Sequence, residues 1–574
     1  MRRNQPSKLF VRSTFTLAIS LALSAHAIGE TWNVRQFGAV GDGRTDDRPA
    51  IQRTIDAAIH SGQGSRIVIP AGKYFLGKDE ARDGQLLISA AQSLKIVGST
   101  DSLLISGAPQ RNIFAIENST NIRISHLQID RRPLLFTQGV VRSIDTARDE
   151  AIIDIDPAYE PPGAPLIAPQ KWFIVYSDPS SGTWGDHSVA CAYNNPGDPL
   201  ACWPPIILRR TQITPREWQV TLNTPPEPNY VGHRFVIWSG TYKGRAFLIQ
   251  HSRNISIEEV AYYGGGADGF AADHNRGTLL FRRFTIGIPP GSDRLLAATG
   301  GGMVFNNHAH VVLDHVNISH SWDDSLNIGA NFARIYQQLG PNEIRVDGSR
   351  SDFVLGDELS VWDWRAKAVT AHPRILKMAC DPDRSCRLTL DQTVVIAHPG
   401  YAPVKSKGND TDGIDRVIDL TSVGTLHVEN SIFQSLHARC LLIKASQSIV
   451  EHPVCYDTVI AGFLVGPQFF WDEGPEVDSL TIRDNEFRNV SGANILVTNG
   501  GSAVAPPTSN LSISGNHFVN YGHYRHGVDV RSGDAILLQN TSNPIITGNQ
   551  FATKYKPECC KESIGKFAAS LEIK

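Results

Sequence analysis

The chain has 574 residues, 41% hydrophobic and 19% charged, with a formal net charge of −3. That length holds one large domain or several smaller ones. The charge balance excludes a broad basic surface, so neither nucleic acid nor an anionic membrane is expected as a partner.

The N-terminus sets the compartment. Arg2, Arg3, Lys8 and Arg12 precede an apolar run over 14–25, and Ala25-His26-Ala27 offers a small-x-small cleavage site. This order predicts a signal peptide over 1–27 and a periplasmic or secreted protein starting near Ile28. The run is too short to span a bilayer and no second one follows, so no membrane contact is expected after cleavage. The eight cysteines suit an oxidising compartment. Local pairing is the simplest arrangement for Cys191 and Cys202, Cys380 and Cys386, Cys440 and Cys455, and the adjacent Cys559 and Cys560, although spacing alone does not settle connectivity. No C-x-x-C pair suggests zinc, and neither a metal nor a cofactor is expected.

Residues 28–139 read as an N-terminal cap followed by short strands. Asn121-Ile122-Arg123-Ile124 opens one such strand, and Asn254-Ile255-Ser256-Ile257, Asn510-Leu511-Ser512-Ile513 and Asn543-Pro544-Ile545-Ile546 repeat the pattern. Asp484-Asn485-Glu486-Phe487, Gly515-Asn516-His517-Phe518 and Gly548-Asn549-Gln550-Phe551 repeat a turn-then-strand signature. A period in the twenties or low thirties, roughly, indicates stacked β coils. A β-sandwich accounts for the short strands but not for the repeated Asn-Xaa-Phe turns. Two stretches break the period. Residues 140–243 hold Pro-rich loops and strands such as 151–155 and 217–222, and residues 333–405 hold strands near 343–346, 359–362 and 386–390. Both are expected to be inserted β-barrel-like subdomains, leaving 244–332 as central coils and 406–574 as C-terminal coils.

Asn33-Val34-Arg35-Gln36-Phe37-Gly38-Ala39-Val40-Gly41-Asp42-Gly43, then Thr45-Asp46-Asp47, Ala50-Ile51-Gln52 and Ile67-Val68-Ile69-Pro70-Ala71-Gly72-Lys73-Tyr74, resembles the opening segment of pectate-lyase-like enzymes. The resemblance implies an all-β fold, a right-handed parallel β-helix, with Asp46 and Asp47 structural. Asp293-Arg294, Phe305-Asn306-Asn307, Asp323-Asp324-Ser325-Leu326-Asn327-Ile328 and Ala333-Arg334-Ile335 are similar in order to glycoside hydrolase family 110, as are Ala438-Arg439-Cys440-Leu441-Leu442 and Trp471-Asp472-Glu473-Gly474-Pro475-Glu476-Val477. That family holds inverting exo-α-galactosidases with barrels inserted in a β-helix. The likeness implies that Asp293, Arg294, Asn327, Trp471 and Glu473 contact a sugar. The family's acidic position one coil before the Asp-Asp pair falls here in Gly300-Gly301-Gly302.

Coil stacking turns alignment into distance. Val260 and Val316 each close an apolar strand, two coils apart. Asp268 then lies over Asp324 and Ala267 over Asp323, with Gly300 and Gly301 between, and aligning Phe433 with Ile318 puts Arg439 over Asp324. Two strand spacings are about 9–10 Å. Inverting glycosidases need carboxyls roughly 6.5–9.5 Å apart, and the glycine leaves room for a sugar. Asp268 reads equally as an ordinary turn residue. Adjacent Asp323 and Asp324 both face outward only at a bend. Coupled carboxyls divide into one acid and one base, so Asp323 is expected as acid and Asp324 as base, with the exchanged roles as the alternative and Arg439 favouring ionised Asp324. Trp322 is expected as an apolar wall for a sugar, and His437, with His308, His310 and His320, as a source of hydroxyl contacts. His308-x-His310 suits a metal, but no partner stands at a recognisable spacing.

These residues predict a glycoside hydrolase acting on a carbohydrate. A polysaccharide lyase or a polygalacturonase-like enzyme shares the fold and is the alternative, with a non-catalytic glycan-binding β-helix third. No acidic calcium cluster is visible in the sequence, so calcium independence is expected. Oligomeric state is left open, a homodimer among the options.

Overall fold

The computed structural model describes residues 29–552, apart from 63, 78–83, 177–192, 195–201, 239–243, 307, 350, 352, 402–411, 491, 499–507, 521–533 and 540. The expected signal peptide lies outside the described residues, as do Cys191, Cys559, Cys560 and the side chain of Cys202. Among the described residues no helix is long and apolar enough to cross a membrane.

Inward-facing residues set the coil shape. In the strand Arg253–Tyr263, Ile255 and Ile257 point inward, then Val260 and Tyr262. The step from two residues to three falls at Glu259, whose φ of 55° is left-handed. One residue in that conformation turns the strand and shifts its inside-outside alternation by one. The next coils repeat the device: Leu279, Phe281, Phe284 and Ile286 bracket Arg283, and Val311, Leu313, Val316 and Ile318 bracket His315. Strands stack in parallel register across each bend, as in Leu279 beside Val311 and Ile286 beside Ile318.

In the C-terminal coils the inward position after the bend changes from apolar to asparagine. Asn485 Nδ2 donates to Asn516 Oδ1 at 2.7 Å, and Asn516 Nδ2 to Asn549 Oδ1 at 2.9 Å. Each of these Nδ2 donors is thus met by the coil beside it, avoiding a penalty of about 1–3 kcal/mol for an unsatisfied polar group. Two residues on, Phe487 stacks on Phe518 and Phe518 on Phe551, with centroids 5.1 and 5.3 Å apart. The repeated Asn-Xaa-Phe turns are this ladder and this stack.

A second parallel sheet of ten strands forms another wall. It runs from Gly84–Ser89 through Phe247–Gln250, Phe270–Asp273, Met303–Asn306, Leu326–Ile328 and Arg439–Ile443 to Ile536–Leu538. The helix Arg48–His60 covers the N-terminal end with Ile51, Ile55 and Ala58. Asp47 accepts the Val40 and Gly41 amides at 2.6 and 3.0 Å, and Asp46 accepts the Gly77 amide at 2.7 Å, which makes both structural.

Two antiparallel sheets interrupt the coils. The first spans Thr137 to Trp238 in six strands, and a bridge from Trp172 to Ile206 closes it into a barrel. The second has seven strands, and a bridge from Glu358 to Arg374 closes six of them. Its boundary differs from the expected 405. Arg416–Asp419 pairs with Ala333 and Arg334 on one side and with 359–362 on the other, so the barrel ends at Asp419. A disulfide joins Cys380 to Cys386 within this barrel, and another joins Cys440 to Cys455 across the β-helix.

Candidate active site

The ten-stranded sheet fixes one column of side chains. Phe247, Phe270, Met303, Leu326 and Leu441 are register partners in successive coils. Two residues before each stand Arg245, Asp268, Gly301, Asp324 and Arg439, a sequence that reads the same from either end. Backbone bonds continue the stacking here: Gly269 N–H donates to Gly301 O at 3.0 Å, Gly302 to Asp324 O at 2.8 Å and Ser325 to Arg439 O at 2.9 Å. Coil alignment from the sequence placed Asp268, Gly301, Asp324 and Arg439 in this order. Arg245 was missed, although one more step from Phe270 to Phe247 reaches it.

Each aspartate is held from its outer side. Arg245 Nη2 lies 3.0 Å from Asp268 Oδ2, whose Oδ1 accepts the Gly301 amide at 3.0 Å. Arg439 Nη1 lies 3.2 and 3.3 Å from the two Asp324 oxygens, and its amide donates to Oδ1 at 3.1 Å. A Cβ on Gly301 would meet Asp324 O at 2.7 Å, and one on Gly300 would meet the Asp268 amide nitrogen at 2.8 Å. Glycine is required there by the close approach of neighbouring coils and of the Asp268 carboxylate.

Asp323 is half-buried at the bend, and its Oδ1 accepts the Asp324 amide at 2.9 Å. Burial pushes its carboxyl up to about 7, helped by Asp324 and Asp268 and opposed by Arg439. Burial also raises Asp324, against the pull of Arg439 and Lys444. The column therefore sets a protonatable carboxyl among two arginine-paired carboxylates.

A second cluster adjoins Asp324. Fully buried Lys444 Nζ donates to Asn327 Oδ1 at 2.7 Å and to Glu473 Oε2 at 2.9 Å, and Asn327 Nδ2 reaches the same Glu473 oxygen at 3.2 Å. Burial lowers the lysine while Glu473 opposes that shift. Glu473 is positioned by its neighbour. Asp472 lies 3.2 Å from Arg416 Nε and 3.6 Å from Arg334 Nη2, and both guanidinium groups also bind Asp412. The second barrel thus anchors the loop that carries Glu473. Trp471 beside it is half-buried and packs edge-on against Phe470.

Four expected sugar contacts stand elsewhere. Trp322 and His437 are 5% and 4% exposed and stack on each other at 3.7 Å, with Trp238 of the first barrel edge-on to the indole at 5.1 Å. Docking of the first barrel covers Trp322, so its ring is packed against Trp172 and Trp238 instead of presenting an open wall. Burial pulls His437 down to about 3, which keeps it neutral. Arg294 is buried and binds Asp130 at 2.9 and 3.3 Å, a structural pair between coils. Asp293 is exposed, and its carbonyl accepts Gln138 Nε2 at 3.0 Å. Among the described residues, two clusters bring three metal-ligating side chains together, and neither includes a column residue.

Stacked parallel coils of this kind define a parallel β-helix fold. Residues 31–144 match the family described as rhamnogalacturonase A/epimerase, pectate lyase-like. Alginate lyase 7 of Azotobacter vinelandii is 49% identical over 69 residues, which is 12% of this chain and 8% of that protein. Mannuronan C5-epimerase AlgE1 of the same organism is 37% identical over 107 residues, covering 17% of this chain and 8% of that protein. The chain therefore spans only a small part of these curated relatives. Among solved structures, the A-module of mannuronan C-5 epimerase AlgE4 from Azotobacter vinelandii aligns over 91% of this chain and 96% of that one, at 13% identity and a TM-score of 0.42.

Proposed function

We propose that this chain is an exported, inverting glycoside hydrolase that removes terminal sugars, galactosidase-like in preference, from a glycan or polysaccharide. The observation that carries this reading is Asp323: a carboxyl held up to about 7 beside two arginine-paired aspartates at a glycine gap. Asp323 donates its proton to the glycosidic oxygen as the bond to the anomeric carbon breaks. Asp324, paired with Arg439, takes a proton from the attacking water. Asp268 faces the same gap as the opposing carboxylate. Asn327, Lys444 and Glu473 supply hydroxyl contacts. The first barrel packs on Trp322 and the second holds Asp472, which favours action on chain ends.

The test is a screen of aryl glycosides, α-galactosides included, and of plant and bacterial polysaccharides. Reducing-sugar release and unsaturated-uronide absorbance are read together, and the anomeric product is followed by NMR. Sugar release with inverted configuration and no new absorbance is expected. The names alginate lyase and mannuronan C5-epimerase among the relatives favour a second reading, lyase or epimerase action on a uronic acid polymer. Absorbance rising in step with chain cleavage would establish that reading and sink the first.

A further inference from the structure

His308 follows the strand Met303–Asn306 of a β-helix coil, Asp357 precedes Leu359–Asp363 and Asp419 ends Arg416–Asp419. The last two belong to the second barrel, where Leu359 and Asp419 are register partners. Each of the three side chains offers a ligand atom, and these atoms lie within 4.8 Å of one another. Asp357 and Asp419 are 6% and 0% exposed. Asp357 Oδ2 accepts the Val354 amide at 2.7 Å, and Asp419 Oδ1 accepts the Thr421 and Ser422 amides at 2.9 and 3.2 Å. Asp419 Oδ2 is buried in this cluster with no hydrogen-bond donor among the described residues.

Two carboxylates facing each other in a buried joint repel unless a proton or a cation lies between them. Burial, the facing Asp357 charge and a side-chain hydrogen bond with Asp357 raise Asp419, opposed by the Thr421 and Ser422 amides. One imidazole with two carboxylates is a donor set for a borderline first-row ion. It has too few oxygens for calcium, which takes six to eight.

We propose that His308, Asp357 and Asp419 hold a divalent ion of the zinc or manganese type, clamping the second barrel to the coil that carries Gly301. The ion sits outside the acidic column and acts by fixing the barrel against the β-helix, with water completing its coordination. The same barrel anchors Asp472 and so the Glu473 loop, which links the clamp to the site without placing metal in the chemistry.

The full chain, stripped with a chelator and then dialysed against Zn2+, Mn2+ or Ca2+, tests this by elemental analysis and thermal unfolding. About one Zn2+ or Mn2+ per chain is expected, with Tm falling on stripping and recovering with either ion but not with Ca2+. His308→Ala and Asp419→Asn should each lose the ion and the metal-dependent part of Tm. If the two aspartates share only a proton, Asp419→Asn removes their repulsion and Tm rises with no metal dependence, which overturns the proposal. Retention of the ion by both variants overturns it too. Should a variant fail to fold, wild-type protein that holds no ion and has one Tm in every bath decides against it. None of these readouts is enzymatic, so the outcome is independent of the hydrolase reading.

Discussion

Asp268 and Asp324 occupy the same register position two coils apart, each with an arginine on its outer side, yet their surroundings diverge. Asp324 has Asp323 at its shoulder and the Lys444–Glu473 pair nearby. Asp268 has the Gly301 amide and a single guanidinium. The shared half of the arrangement sets an aspartate against an arginine on each side of Gly301. The unshared half adds Asp323, a carboxyl that burial pushes up to about 7. Under the proposed hydrolase reading, that asymmetry separates the acid from the opposing carboxylate.

Asp323→Asn is the strongest way to break the comparison. It removes the proton donor and should lower kcat at least about a hundredfold, the usual scale of general acid assistance. In the wild type, kcat/KM should fall as pH rises through about 7, because the active form of Asp323 is protonated; a pH–rate profile flat from 6 to 8 would contradict this. Stability moves the other way. The folded carboxyl holds its proton to about 7 and the unfolded one releases it near 3.8, so the protonated form stabilises at low pH and that benefit is lost as pH climbs. Asp323→Asn should therefore raise Tm above pH 7, a gain that shrinks toward pH 4.

Replacing the two arginine-paired aspartates separately sharpens the comparison. Asp324→Asn should cost about a hundredfold in kcat. Asp268→Asn should match it, with the product still formed by inversion, if the opposing carboxylate takes part. Wild-type turnover in Asp268→Asn beside a dead Asp324→Asn would confine the acid and the base to the Asp324 side. Gly301→Asp is the mildest of these changes. Its new Cβ would press on Asp324 O, so activity should drop about tenfold or more for a misplacement of this kind, with KM rising as the sugar space fills. Higher activity would show that an acid is wanted at this position.

Much of the column was legible because the coil repeat is local. Val260 and Val316 follow the same left-handed bend, so aligning them aligns everything after it, and Asp268, Gly301, Asp324 and Arg439 follow. The Asn-Xaa-Phe turns were legible for the same reason. What stayed hidden was carried by the barrels, whose contacts cross long separations. Nothing near Trp322 or His437 signals that Trp238 will cover the indole. His308 has no carboxylate at metal-ligand spacing, because Asp357 and Asp419 arrive from an inserted domain. Arg416–Asp419 looked like the start of a coil until its pairing on both sides placed it inside the barrel.

The paired charges of the column have a kinetic consequence. Arg245 stands against Asp268, Arg439 against Asp324 and Lys444 against Glu473, so each charged group of the site has an opposite partner at its side. Close opposite pairs project little field beyond a Debye length of about 8 Å at physiological salt and do not steer ions from a distance. Capture of an uncharged sugar should then proceed at the same rate in dilute and concentrated salt, and a polyanionic chain would gain no speed in reaching the cleft.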